Sequence, residues 1–369
     1  MNAQLPRWVD LGLIPLLNLI AAFVVAGLVV LAIGEDPIEA VEHILYGALG
    51  FGEGIGFTLF YATNFIFTGL CVAVAFHASL FNIGGEGQAY IGGLGVGLVC
   101  LALDHYLPWW IIAPLAAIGG ALFGAGWAMI PAYFQAKRGS HIVITTIMFN
   151  FLAASLMVYL LVNVLKVPGA MAPESRTFEE AGRLPKLDGF LALFGQDIGG
   201  APANMSFFLA LAACVFVWAL IWRTRLGYEI RTFGANPTAA IYAGISPVKI
   251  TLVAMALSGG LAGLMAMNPV MGDQNRMFLD IAGGAGFVGI AVALMGRAHP
   301  VGVVLASILF GILYQGGAEL AFEMPAITRD MVVVIQGLVV LFAGALEFMF
   351  RPAVARLFAA LPSRKTGEA

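Results

Sequence analysis

Long apolar segments of about 17 to 25 residues recur along the whole chain, and they limit its possible folds severely. A segment of this length crosses the roughly 30 Å hydrocarbon layer of a bilayer as an α-helix. Only 11% of the 369 residues are charged and 61% are hydrophobic, whereas an ordinary soluble domain has about 25% charged residues. The ten-residue alternation of an outer-membrane barrel is absent. We therefore predict an all-α polytopic membrane protein.

Ten segments fit such spans, and some of them are short or interrupted by glycine. The span that begins at residue 283 is too short to cross fully, so we expect it to be partial. We predict one membrane domain over residues 1–369, with a long external loop at 166–204 and a cytoplasmic segment at 223–249. The predicted spans are residues 11–33, 58–80, 85–103, 109–135, 142–165, 205–222, 248–270, 283–296, 300–317 and 331–350.

Basic residues set the predicted orientation, because cytoplasmic loops of membrane proteins carry an excess of Lys and Arg. With both termini inside, 12 of the 18 basic residues lie on the cytoplasmic side and 6 on the external side. We expect a multi-pass protein of a bacterial inner membrane with both termini in the cytoplasm.

Residues 81–88, FNIGGEGQ, place the carboxylate of Glu86 between two apolar spans. A charge at membrane depth costs a few kcal/mol or more unless it faces a cavity or a partner. Glycines disfavour an unbroken helix here, and irregular backbone in a bilayer is tolerated only inside protein or along a water-filled path. Glu86 is thus predicted to line a polar path, or else to pair with Arg138 or with a helix N-terminus.

Other polar residues at membrane depth extend this predicted path. Thr146 and Asn150 share one helix face, as do Asn64 and Thr68, because each pair is four residues apart. Hydroxyl-rich solutes suit such neutral groups, although hydrogen bonds between helices, worth about 0.6 kcal/mol on average, explain them equally well. The predicted path residues are Asn64, Thr68, His77, Asn82, Glu86, Gln88, Thr146 and Asn150.

A short helix is predicted within the cytoplasmic segment. Asn236 is a favourable N-cap, Pro237 suits the first helical position, and Gly244 is a natural stop. The segment is either a capped connector or a rigid contact for a cytosolic partner.

Two motifs resemble the permeases of ABC importers: FHASLFNIGGEGQAYIGG at residues 76–93 and GYEIRTFGANPTAAIYAGI at 227–245. The simple-sugar and nucleoside branch, related to branched-chain amino-acid and ribose permeases, is the most similar. The resemblance implies a coupling helix that docks on a cytoplasmic ATPase, a second permease chain that is expected to be a different one, and an external substrate-binding protein. It assigns the coupling role to Asn236, Pro237, Thr238, Ala239, Ala240, Tyr242, Ala243 and Gly244.

The sequence has no motif for chemistry of its own. None of its lysines lies in a phosphate-binding G-x-x-x-x-G-K-[ST] loop, and its five histidines lack metal-ligand spacing. We therefore expect a transport subunit without catalytic residues, cofactor, metal or nucleic-acid partner. A branched-chain amino-acid permease, and a secondary transporter driven by ions through Glu86, remain alternatives.

Glycine patterns give two further predictions. G-x-x-x-G pairs at Gly120 and Gly124, and at Gly259 and Gly263, favour close helix packing, as does a third pair at Gly93 and Gly97. In addition, LDIAGGAGFVGIA at 279–291 is similar to FNIGGEGQAYIGG at 81–93, which suggests an internal repeat with Asp280 in the place of Asn82.

Overall fold

The computed structural model describes residues 13–341 except 194 and 196, together with residues 6, 9, 354 and 356. Those residues form α-helices and no β-sheet, which confirms the predicted all-α class. The helices are α1 (Ile14–Ile33), α2 (Pro37–Leu49), α3 (Gly52–His77), α4 (Gly85–Leu103), α5 (Trp109–Arg138), α6 (Ile142–Leu160), α7 (Asp188–Ala192), α8 (Ser206–Arg223), α9 (Arg225–Ala235), α10 (Pro237–Tyr242), α11 (Pro247–Met265), α12 (Ala285–Met295), α13 (Pro300–Glu323) and α14 (Arg329–Val340).

Eight described helical segments are long and apolar enough to cross a membrane, and they coincide with eight of the ten predicted spans. The predicted span 283–296 corresponds to the shorter helix α12. Of the predicted span 331–350, α14 covers the part up to Val340, and residues 342–350 lie outside the described residues. The second span runs six residues further toward the N-terminus than predicted, because the polar and glycine residues from Gly52 onward continue the helix. The sequence analysis did not predict α2, which has Glu39 in its first turn, where a carboxylate is favourable.

The chain divides into two compact units, residues 1–47 with 316–369 and residues 48–315. In the first unit, α1 contacts α14. Gly316 packs there against the backbone of Ile44, so closely that a β-carbon at Gly316 would overlap the Ile44 carbonyl oxygen.

Glycine contacts hold the centre of the second unit together. A β-carbon at Gly124 would overlap the carbonyl oxygen of Gly259, and one at Gly263 would overlap that of Gly120. The two predicted pairs therefore form the α5–α11 interface, where small residues let helix backbones approach. Gly93 and Gly97 instead contact side chains of the loop before α12.

That loop, residues 274–284, leads into a helix too short to cross a bilayer. α12 has 11 residues, which is about 16 Å at 1.5 Å per residue, roughly half of the hydrocarbon thickness. Gly283 and Gly284 both adopt positive φ, at 52° and 82°, and so allow the sharp turn into the helix. The partial span predicted from Gly283 onward is a half-length helix in the structure.

Ion pairs tie the loop predicted to be external to the end of α4 and to the loop at 274–284. Arg176 donates to both carboxylate oxygens of Asp104 at 2.7 Å, and the Glu179 N–H donates to the same carboxylate at 3.0 Å. Arg276 pairs with Glu174 at 2.8 Å. Burial alone would raise the pKa of Asp104, but the hydrogen bonds from Arg176 and Glu179 outweigh it and hold that pKa below its usual value.

Candidate functional site

Glu86 caps the N-terminus of α12. Its Oε1 accepts the Gly284 N–H and its Oε2 accepts the Gly286 N–H, each at 2.8 Å. The free N–H groups and the positive end of the helix dipole at this position favour a carboxylate. The structure thus confirms the helix N-terminus alternative for Glu86.

The N-termini of α4 and α12 lie against each other at this point. A β-carbon at Gly286 would overlap the backbone N of Glu86, and the ideal β-carbon of Gly85 is 3.6 Å from the Gly286 carbonyl oxygen. The two similar glycine-rich segments therefore meet. Their corresponding polar residues are placed differently, since Asn82 is buried and Asp280 is exposed.

Asn82 and Gln88 form a reciprocal amide pair beside this contact. The Asn82 amide donates to Gln88 Oε1 at 2.8 Å, and the Gln88 amide donates back to Asn82 Oδ1 at 3.1 Å. Asn82 also donates to Ser258 Oγ at 2.8 Å, and Ser258 donates to the Cys71 carbonyl at 2.7 Å. Because all four residues are almost fully buried, the cluster holds the broken segment to α3 and α11.

Asn150 caps the other half of the same segment. Its Oδ1 accepts the Gly87 N–H and its amide donates to the Ile83 carbonyl, both at 2.9 Å. Thr146, one turn earlier on α6, donates to the Ile142 carbonyl of its own helix at 2.8 Å. Of this predicted same-face pair, only Asn150 binds another helix.

Asn64 belongs to a second polar network nearer the N-terminal end of α3. Asn268 donates to Asn64 Oδ1 at 2.8 Å and accepts from Asn204 at 2.7 Å and from Ser206 at 3.0 Å. Thr68 donates to the Asn64 carbonyl at 3.1 Å. Buried amides in this network link α3, the end of α11 and the start of α8.

His77 contacts other residues than those around Glu86. Its Nε2 lies 3.1 Å from the Ala298 carbonyl oxygen, and its ring packs edge-on against Trp222 with 5.1 Å between centroids. Trp222 in turn contacts His299 at 5.1 Å. These contacts favour a structural, hydrogen-bonded His77 over a side chain that lines the same cavity as Glu86.

Sequence reasoning missed Tyr61 and Tyr314, two tyrosines that lie against each other. Tyr61 and Tyr314 lie 5.7 Å apart between ring centroids, and Tyr314 also contacts Phe65 at 4.9 Å. Tyr90 donates to Asp280 Oδ1 at 2.9 Å. Spacing could have revealed Tyr61, since it precedes Asn64 by three residues and so lies on the same helix face.

The segment 223–249, which was predicted to be cytoplasmic, contains two helices where one was predicted. Asn236 caps α10 as expected, with its Oδ1 accepting the Ala239 N–H at 3.0 Å, and Gly244 ends it at a φ of 78°. Tyr242 is 90% exposed, but Ala240 is fully buried. The Ala240 side chain therefore packs inward, and the coupling role of this helix stays a prediction.

α9, the helix that was not predicted, connects this segment to the membrane core. Ser79 donates to the Gly234 carbonyl at 2.7 Å, and a β-carbon at Gly234 would overlap the carbonyl oxygen of His77. The turn at Ser79 leads directly into the broken segment at 81–88. α9 is therefore in direct contact with the turn that precedes the broken segment.

The eight apolar helices and the half-length helix α12, capped by Glu86, are the elements of a multi-pass, all-α membrane protein. The chain belongs to the family described as branched-chain amino acid transport system / permease component, whose model matches residues 54–344. It is therefore a permease component of an ABC transporter, and the ion-driven secondary transporter is set aside.

Three relatives are similar over nearly their whole length. A glucose ABC transporter permease, TsgB13 of Haloferax volcanii, is 35% identical over 94% of this chain and 90% of its own. The guanosine permease NupP of Bacillus subtilis is 33% identical over 91% and 95%. The nucleoside permease NupB of Lactococcus lactis is 30% identical over 96% and 97%. Each organism has a second matching permease at 26–28% identity.

Proposed function

We propose that this permease imports nucleosides or simple sugars across a cytoplasmic membrane. The observation that carries the proposal is the near full-length similarity to permeases named for glucose, nucleosides and guanosine. The neutral amides and hydroxyls at membrane depth are consistent with a solute rich in hydroxyl groups. Orientation with both termini inside follows from the distribution of basic residues.

We further propose that the permease works with a second, different permease chain, a cytoplasmic ATPase and an external substrate-binding protein. The second, less similar permease in each of the three organisms supports two distinct permease chains. The sequence has no phosphate-binding loop of its own, so ATP hydrolysis belongs to another subunit.

In this proposal the exposed side of α10 docks on the ATPase, and α9 transmits its movement. The Ser79 hydroxyl bonded to Gly234 couples α9 to the turn before residues 81–88. Displacement of that turn shifts Glu86 relative to the Gly284 and Gly286 N–H groups. The junction of α4 and α12 is then the element that changes between the two access states.

The test is uptake by proteoliposomes that contain this permease, its second permease, its ATPase and its binding protein. We expect ATP-dependent accumulation of radiolabelled guanosine or glucose. Omission of the ATPase, with all else unchanged, should abolish accumulation. Accumulation by this chain alone, or uptake of leucine without uptake of guanosine or glucose, would contradict the proposal.

A further inference from the structure

We infer that Tyr61, Tyr90, Tyr314, Asp280 and Glu86 form a water-accessible surface, here named the tyrosine face, that contacts the solute. It accepts neutral, hydroxyl-bearing solutes with a ring and disfavours their phosphorylated forms. The inference rests on the proposed function and adds to it the place of contact and a rule of selectivity.

The first argument is the position of the aromatic rings. Tyr61 and Tyr314 face each other at an interplanar angle of 49° and are each only half-buried. Phe65 lies behind Tyr314 in an edge-to-face contact and is almost fully buried. The two tyrosine rings are thus held in place from behind while part of each remains accessible.

Unused hydroxyl groups give the second argument. The Tyr61 and Tyr314 hydroxyls have no hydrogen-bond partner among the residues that the structure describes, although the amides and most hydroxyls at similar depth are bonded. A phenol at membrane depth generally finds a partner or water. Two unpaired phenols beside each other therefore indicate water, or a solute hydroxyl, at this place.

Electrostatic interactions connect the tyrosines with the carboxylates. The Tyr314 hydroxyl interacts with Glu86 and with Tyr61, and Tyr90 interacts with both Glu86 and Asp280. Asp280 is exposed and remains beside the Tyr90 hydroxyl at 2.9 Å. Glu86 and Tyr90 are four residues apart on α4 and so share one helix face, and the Tyr90 hydrogen bond joins Asp280 to that face.

Neither Glu86 nor Asp280 forms an ion pair with a basic side chain among the described residues. Asp280 is the charged side chain that interacts with Glu86, and Asp273 interacts with Tyr61. Arg276, four residues before Asp280, is already paired with Glu174 at 2.8 Å. A phosphate group carries about −1.5 to −2 charges at pH 7 and would be repelled here.

Charged thiol reagents test this inference directly in the assembled transporter. Tyr314→Cys and Tyr61→Cys are each treated with a cationic and an anionic methanethiosulfonate of similar size. The rate at which each reagent labels the cysteine is divided by the rate at which the same reagent labels a free thiol in solution. The three native cysteines are buried, so the unmodified complex measures the background. Phe151→Cys, whose side chain is 67% exposed on α6, is the matched control for a lipid-facing position.

We expect both tyrosine-face cysteines to react, with the cationic reagent faster by about tenfold at low salt, because an acidic surface concentrates cations. Asp280→Asn should lower this ratio. Guanosine or glucose, added with the binding protein, should slow the labelling, and guanosine monophosphate should not. Rates as low as those of Phe151→Cys, equal rates for both reagents, or equal protection by the monophosphate would overturn the inference. The inference would also be overturned if neither guanosine nor glucose slowed the labelling.

The outcome is separable from that of the proposed function. Labelling rates with charged reagents do not depend on which solute is transported, so their failure leaves the importer in place. Conversely, a complex that accumulates neither guanosine nor glucose would contradict the proposed substrates even if the tyrosine face were accessible and anionic.

Discussion

Glu86 and Gly286 are joined twice, once through a side chain and once through the backbone. A Glu86 carboxylate oxygen accepts the Gly286 N–H at 2.8 Å, and the Gly286 backbone lies so close to the Glu86 N that no β-carbon fits between them. The start of α4 thus both caps and touches the start of α12. In a permease, this is a contact between two interrupted membrane segments.

Replacing the Glu86 carboxylate should destabilise the protein. Glu86→Ala leaves two partly buried N–H groups without their acceptor, and each such loss costs about 1–3 kcal/mol. Glu86→Gln retains one carbonyl oxygen, so its effect should be smaller. Thermal unfolding in detergent ranks the stabilities of the two variants. Glu180→Ala, which changes an exposed side chain, is the control. A Glu86→Ala protein as stable as that control would contradict the capping role.

Adding one methyl group at residue 286 should be poorly tolerated. In Gly286→Ala the β-carbon meets the Glu86 backbone, which cannot rotate away, and overpacking of this kind costs about 1–3 kcal/mol. The control is Gly126→Ala in α5, where nothing lies within 4 Å of the new carbon and the helix gains from alanine. Thermal unfolding should separate the two variants. Equal melting temperatures would mean that the helix starts can move apart freely.

Two substitutions in α10 should impair the permease for different reasons. Tyr242→Glu changes a side chain that is 90% exposed, so we expect a folded permease that no longer copurifies with the ATPase. Ala240→Glu places a carboxylate at a fully buried position and should unfold the segment. Tyr106→Glu, 81% exposed at the other end of α4, is the matched control. Normal copurification of Tyr242→Glu would argue against docking through α10.

Acid should weaken the attachment of the loop at 166–204. Because the pKa of Asp104 is held below its usual value by Arg176 and Glu179, ionised Asp104 stabilises the folded state at neutral pH. This stabilisation is present above the unfolded-state pKa of about 4 and is lost as the pH falls through the lower folded-state pKa. Asp104→Asn should remove it at all pH values. Thermal unfolding from pH 7 to pH 3 measures the loss, with Asp188→Asn as an exposed control. A pH profile of Asp104→Asn that matches the unmodified chain would contradict the prediction.

The sequence alone predicted those structural features whose physical cause lies in residues that are close together in the chain. Eight of the ten apolar segments coincide with helices long enough to cross a membrane, because span length follows from bilayer thickness. Asn236, Pro237 and Gly244 predicted α10, since its cap and stop are formed by neighbouring residues. Resemblance to ABC permeases, carried by two short motifs, was likewise confirmed by the family match over residues 54–344.

Only the tertiary structure decided which partners the polar residues choose. Glu86 binds N–H groups about 200 positions away in the chain, and Asn64 is linked to Asn268 across 204 positions. Tyr61 and Tyr314 come together in the same way. Such pairs depend on how helices pack, and glycine contacts between backbones set that packing. Periodicity along one segment shows which residues lie on the same helix face. It contains no information about which residues of another helix pack against that face.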